Sequence, residues 1–185
     1  MNKNKVLKEH HIAKKASVSA GELLLNKNSI TEIFSSDKDI KLTADIQAEQ
    51  IIKDIISAES SYPILAEESG KSVEKLGDTY WIIDPLDGTA NYSRSIPISA
   101  VSICLMHQLN PVLGVIYDFN NDHLYEGSIV SDALLNDQKI KVSSAASPRF
   151  STLVDALGTT NLAGTLASLD DVTVLAPTND AFVLL

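Results

Sequence analysis

From Leu7 to Leu25, apolar or small residues return at Ile12, Ala16, Ala20 and Leu23 with lysines between them, the spacing that gives a helix one buried stripe. The pattern predicts an amphipathic helix. Gly21 falls inside it, and glycine costs about 1 kcal/mol against alanine in a helix, so it is expected to mark close packing against a neighbour. His10 and His11 stand near the polar side and are expected to be solvated. A polar stretch, SSDKDIKLT, leads to a second helix in which Ala48, Ile51, Ile52, Ile55 and Ile56 form one stripe, with Thr43 or Asp45 as its cap. Tyr62-Pro63 ends that unit.

Beyond it the period changes. Ile64-Leu65-Ala66 reads as a short buried strand with Glu67-Glu68-Ser69-Gly70 at its end. Ile98 to Met106 alternates around Ser99, Ser102 and Cys104, and strands follow at Val112 to Tyr117 and His123 to Ile129, joined by HQLNP and NND. Connections that short hold no crossover helix, so the strands are expected to be antiparallel. The expected fold class is α+β, with helices layered on an antiparallel sheet.

Composition narrows the partners. With 185 residues and 44% hydrophobic content, the chain has enough for one domain or two small ones. Fifteen basic against twenty-four acidic residues give a net charge of −9, which argues against nucleic acid or anionic membrane as partners and tolerates cations. Cys104 is the only cysteine, so no intrachain disulfide forms; it is expected to be a small buried hydrophobe in a reducing compartment. The basic start, MNKNKVLKEHHIAKKAS, precedes no uninterrupted apolar core, and no run approaches the roughly 20 apolar residues of a membrane span. A soluble, cytoplasmic protein is expected.

Candidate chemistry centres on WIIDPLDGTANY, Trp81 to Tyr92. A turn explains Pro85 and Asp87-Gly88, because proline presets φ and glycine accepts positive φ, but it leaves Asp84 without a reason. If Glu67 and Asp84 lie at strand ends with Asp87 in the adjoining turn, three carboxylates converge. Two negative charges about 4 Å apart repel by roughly 4 kcal/mol at an effective dielectric near 20, so such a cluster needs protons or cations. Oxygen-only ligands favour a hard ion, and Mg²⁺ takes a few carboxylates while keeping waters and substrate phosphate. Gly88 and Thr89 then open a turn or helix whose backbone N–H groups face the ligand, a common way to hold phosphate oxygens. Spacing alone leaves a metal site and a decorated turn both open.

Taken together, ADIQAE at 44–49, LAEES at 65–69 and WIIDPLDGTANY resemble the inositol monophosphatase family of Mg²⁺-dependent, lithium-sensitive phosphatases. The likeness runs from the first helix through Ser143 and includes ALLNDQKIKVS. The resemblance implies that Glu67, Asp84, the Leu86 carbonyl and Asp87 bind metal, with Asp84 bridging. It further implies that Asp87, Gly88 and Thr89 contact the substrate phosphate, and that Asp45 with the Thr89 hydroxyl orients the attacking water. The implied partner is a small phosphorylated substrate, and homodimers are common in the family.

The chain also departs from that pattern. Nothing after Ser143 supplies the family's W-D-x-A-x-G motif, and Ser131-Asp132 and Asp137 stand where glycines are usual, so the last hairpin is expected to be distorted. From about Arg149 the sequence, with its TVLAPTNDAF box, resembles the opening of a fasciclin-type (FAS1) domain. The expected organisation is a truncated phosphatase-like domain over 1–143, a small-residue linker at 144–148 and a short, helical FAS1-like segment over 149–185, as in a fusion. Three functions compete on this basis. They are a Mg²⁺-dependent phosphomonoesterase, impaired because its closing half is absent; a FAS1-type adhesion or interaction module; and an inactive hybrid.

Overall fold

The computed structural model describes residues 1–26, 32–35 and 40–141. Helix α1 (Lys3–Leu25) opens with Asn2, whose side chain accepts the Lys5 N–H at 2.9 Å, and buries Val6, Ile12, Ala13, Ala16, Ala20 and Leu24 as one stripe. Gly21 marks a close approach, as its place in the pattern predicts: a Cβ there would stand 2.5 Å from two ring atoms of Tyr117. His10 departs from expectation. It is buried, with Nε2 at 3.2 Å from Glu126 Oε2 but without hydrogen-bond geometry.

The polar stretch after α1 contains strand backbone, β1 (Glu32–Ser35) and β2 (Ile40–Leu42), paired antiparallel. Helix α2 (Thr43–Glu59) begins directly after β2 and buries Ala48, Ile52 and Ile56. It also buries two acids on that side, Asp45 and Glu49.

The remaining strands are β3 (Ile64–Ala66), β4 (Gly70–Lys71), β5 (Thr79–Asp87), β6 (Ala100–His107), β7 (Asn110–Asp118), β8 (His123–Ser128), β9 (Ser131–Leu135) and β10 (Gln138–Lys139). They form one sheet in the order β10-β9-β8-β7-β6-β5-β3-β4, with the short helix α3 (Thr89–Ser93) between β5 and β6. The fold is α+β. The sheet, however, is mixed rather than antiparallel throughout: β3 runs parallel to β5, with Ile64 opposite Trp81 and Ala66 opposite Ile83. Short connections do go with antiparallel pairing from β6 through β10, and β5 also runs antiparallel to β6 although the chain between them passes through α3. Between β3 and β5, by contrast, the chain turns out to the edge as β4 and returns across β3, so the crossover needs no helix.

One face of the sheet holds the core. Trp81, Ile83, Ile103, Leu105, Val115 and Tyr117 alternate inward and are buried with α1 and α2 over them. Each contributes about 1.5–3 kcal/mol by leaving water. The Trp81 indole N–H is satisfied by Ser60 Oγ at 3.2 Å. Positions of opposite parity, including Ser102, Cys104, Gly114 and Ile116, line the other face, so Cys104 is half-buried instead of buried. The expected distortion is present at one of the two places: beside Ser131-Asp132 the pairing of β8 with β9 slips between Glu126 and Ser128, whereas the β9–β10 turn is regular. Asn136 and Asp137 take positive φ values of 48° and 63° in the two-residue turn joining β9 to β10, which non-glycine residues of this type tolerate. Asp137 is also tied to Lys14 Nζ at 2.6 Å. The helical FAS1-like tail expected over 149–185 lies outside the described residues.

Candidate metal and phosphate site

Strand β5 positions the site by changing character along its length. Through Ile83 it is a regular central strand; at Pro85 it loses a backbone donor, and the pairing with β6 slips between Asp84 and Asp87. Asp84 lies opposite Ser102 and Asp87 opposite Ala100, so three steps along β5 match two along β6. This bulge of one residue brings two acids at odd spacing into register with residues that share a face, which regular alternation forbids. Here is the reason for the spacing in WIIDPLDGT.

Asp84 is half-buried, and its Oδ1 accepts the Leu86 N–H at 3.1 Å. Glu67 reaches it from the turn after β3, whose backbone is fixed by the Glu67 N–H donating to the Ile83 carbonyl at 3.1 Å. Burial first, then the hydrogen bond and charge of Glu67, then the charge of Asp87, push the Asp84 carboxyl up to about 8, while the Leu86 N–H opposes them. A proton therefore sits between Glu67 and Asp84 at neutral pH in the absence of a cation. Glu67 and Asp87 are exposed toward solvent. Among the described residues, no three His, Cys, Asp or Glu side chains close round a single point. The structure thus pairs Glu67 with Asp84 and leaves Asp87 as an electrostatic neighbour.

Gly88 turns the chain at the end of β5. Its φ is +88°, and a Cβ there would lie 2.8 Å from the Ile98 carbonyl oxygen, so both the conformation and the space require glycine. Thr89 follows as the first residue of α3. Its Oγ1 lies 3.0 Å from the Leu86 carbonyl and 3.2 Å from Asp45 Oδ1. Asp45 is buried in the first turn of α2, so this contact joins the helix layer to the end of β5. The Leu86 side chain is buried, and its carbonyl keeps one lone pair beyond the Thr89 contact.

Glu49, the residue the motif reading passed over, stands one helical turn after Asp45, and its Oε2 accepts the N–H groups of Glu68 and Ser69 at 3.0 and 3.3 Å. The signal was present in ADIQAE, where two acids four apart sit beside Ala48 and Ile52 on the apolar stripe. Carboxylate, carbonyl and hydroxyl oxygens without nitrogen or sulfur are the donor set of a hard divalent ion, and a cation in place of the shared proton relieves the Glu67–Asp84 repulsion. The residues fit Mg²⁺ on those grounds.

The model of the inositol monophosphatase family matches residues 5–169. An inositol-1-monophosphatase of Synechocystis is 39% identical over 147 residues, covering 77% of this chain and 51% of that protein. Inositol monophosphatase 1 of Rattus norvegicus is 34% identical over 159 residues, covering 84% and 57%. The solved inositol monophosphatase from Anabaena superposes with a TM-score of 0.67 at 34% identity, covering 76% of this chain and 52% of that one. The chain spans about half the length of the curated relatives it matches. The family match crosses the expected 144–148 junction and continues to residue 169, and the FAS1 and fusion readings gain no support from these comparisons. Motif, sheet order and sequence likeness converge on one conclusion: this chain belongs to the inositol monophosphatase family.

Proposed function

We propose that this chain carries the metal-holding half of a phosphomonoesterase, which hydrolyses a small phosphate monoester with water activated at Mg²⁺. The observation that carries the reading is the hydrogen-bonded pairing of the Glu67 and Asp84 carboxyls at the bulged end of β5, where Asp84 Oδ1 also accepts the Leu86 N–H at 3.1 Å. Glu67, Asp84 and the Leu86 carbonyl would hold the ion, with Asp87 facing a second one and the phosphate. When bound, Mg²⁺ lowers the pKa of a coordinated water and offsets charge on phosphate oxygens. Thr89 Oγ1, held between Asp45 and Leu86, positions that water by hydrogen bonding, and Asp45 accepts the proton that fixes the threonine hydroxyl's direction. The Gly88 and Thr89 backbone N–H groups receive the phosphate.

The relatives' additional length is the basis for proposing that turnover by this chain alone is impaired. A homodimer is part of the same proposal, tested by the particle mass in solution. Phosphate release from a panel of small monoesters, inositol phosphates included, across Mg²⁺ concentrations decides the main point. Metal-dependent release that Asp84→Asn and Thr89→Val abolish is expected. Release that persists in chelator, or survives Asp84→Asn, refutes the reading, and turnover equal to that of a full-length relative refutes the impairment.

A further inference from the structure

Glu49 is a carboxylate buried among the isoleucines and alanines of α2, 4% exposed. Burial of a charge is costly unless it is bonded, and this one is bonded at a specific place. Oε2 accepts the N–H of Glu68 at 3.0 Å and of Ser69 at 3.3 Å, the two residues that follow Glu67 in the turn from β3 to β4. Oε1 lies 3.7 Å from Lys53 Nζ, and Lys53 in turn donates to Ser69 Oγ at 3.0 Å. On the other side, the same turn is held by the Glu67 N–H on the Ile83 carbonyl at 3.1 Å. Glu67 itself is exposed, so nothing about its own burial fixes its side chain.

We infer that Glu49 is a positioning residue for metal binding: by clamping the backbone of Glu68 and Ser69 to α2, it presets the turn from which the Glu67 carboxylate meets Asp84. The inference rests on the proposed metal-dependent function. One consequence separates it from a purely structural role. Both Glu49 oxygens face donors, two backbone N–H groups on one side and an ammonium on the other. Glutamine at this position keeps the shape but must turn its NH₂ toward one set of donors. In Glu49→Gln, Lys53 therefore competes with the turn for the single remaining acceptor. Adding Lys53→Gln supplies an acceptor for that NH₂ and frees the carbonyl of the substituted side chain for the backbone of the turn.

The test is calorimetric titration of the full chain with Mg²⁺, beside thermal melts in chelator. Loss of a partner that orients a ligand typically costs 10–100-fold in metal affinity, and Glu49→Gln is expected to bind about tenfold more weakly. Glu49→Gln with Lys53→Gln recovers at least half of that loss on a logarithmic scale. Equal affinity of Glu49→Gln and the parent overturns the inference, as does a double variant no better than the single one. Amide hydrogen exchange of the parent in chelator decides the matter even if a variant fails to fold: protected Glu68 and Ser69 amides support a preset turn, and amides protected only after metal is added overturn it. A parent that takes up no ion overturns the function reading as well, which keeps the two failures distinct.

Discussion

Asp84→Asn is expected to stabilise the metal-free protein while removing its response to magnesium. The magnitude follows from the carboxyl held at about 8 by burial, Glu67 and Asp87. Keeping a proton at pH 7 on a group that ordinarily releases it near 3.8 costs about 4 kcal/mol at 1.36 kcal/mol per decade, and solvent reaching the half-exposed site reduces this to about 2 kcal/mol. Asparagine is neutral at every pH and carries no such cost. The sign is set by linkage: the folded state binds more protons than the unfolded state between pH 3.8 and about 8, so the parent loses stability as pH rises through that window and the variant does not. The gap between them is therefore near zero at pH 4 and largest at pH 8. At about 3 °C per kcal/mol for a domain of this size, the variant melts about 6 °C higher at neutral pH in chelator. Magnesium at about 100 times its dissociation constant adds roughly 2.7 kcal/mol to the parent alone and reverses the order. Thermal melts at pH 5 and pH 8, with chelator and with Mg²⁺, make the comparison. A variant less stable than the parent at pH 8 in chelator, or one that magnesium stabilises equally, refutes the argument.

Three further outcomes are expected. Gly21→Ala puts a Cβ 2.5 Å from the Tyr117 ring, so denaturant unfolding is expected to show a loss of about 2 kcal/mol, where an open helix site would gain from alanine. Gly88→Ala combines positive φ with a 2.8 Å approach to the Ile98 carbonyl, and both the melting temperature and the Mg²⁺ affinity are expected to fall. Burial lowers the His10 pKa more than Glu126 raises it, so its contribution is present above about 6.5 and is lost as pH falls below that value. His10→Gln in the Asp84→Asn background, which lacks the opposing slope, is expected to flatten the stability profile between pH 7 and 5 in urea titrations.

Much was legible in the residue pattern because the relevant forces are local. The stripe of α1, the isoleucine face of α2 and the alternation of β6 through β8 each follow from a period that one segment carries by itself. Gly21 announced a close contact, though the partner, Tyr117 on β7, is 96 residues away and invisible to the period. The acids of WIIDPLDGT could be singled out because a turn did not account for Asp84. Only the tertiary structure could decide the rest. The bulge that aligns Asp84 with Asp87 is a mismatch between two strands, and the direction of β3 against β5 depends on a crossover at the sheet edge. His10 was expected to be solvated and Glu49 was given no role, yet each is buried against a partner from a distant element, Glu126 for one and the Glu68–Ser69 backbone for the other. Periodicity tells which face of an element leaves water; which charge waits across the interface is settled only when the layers meet.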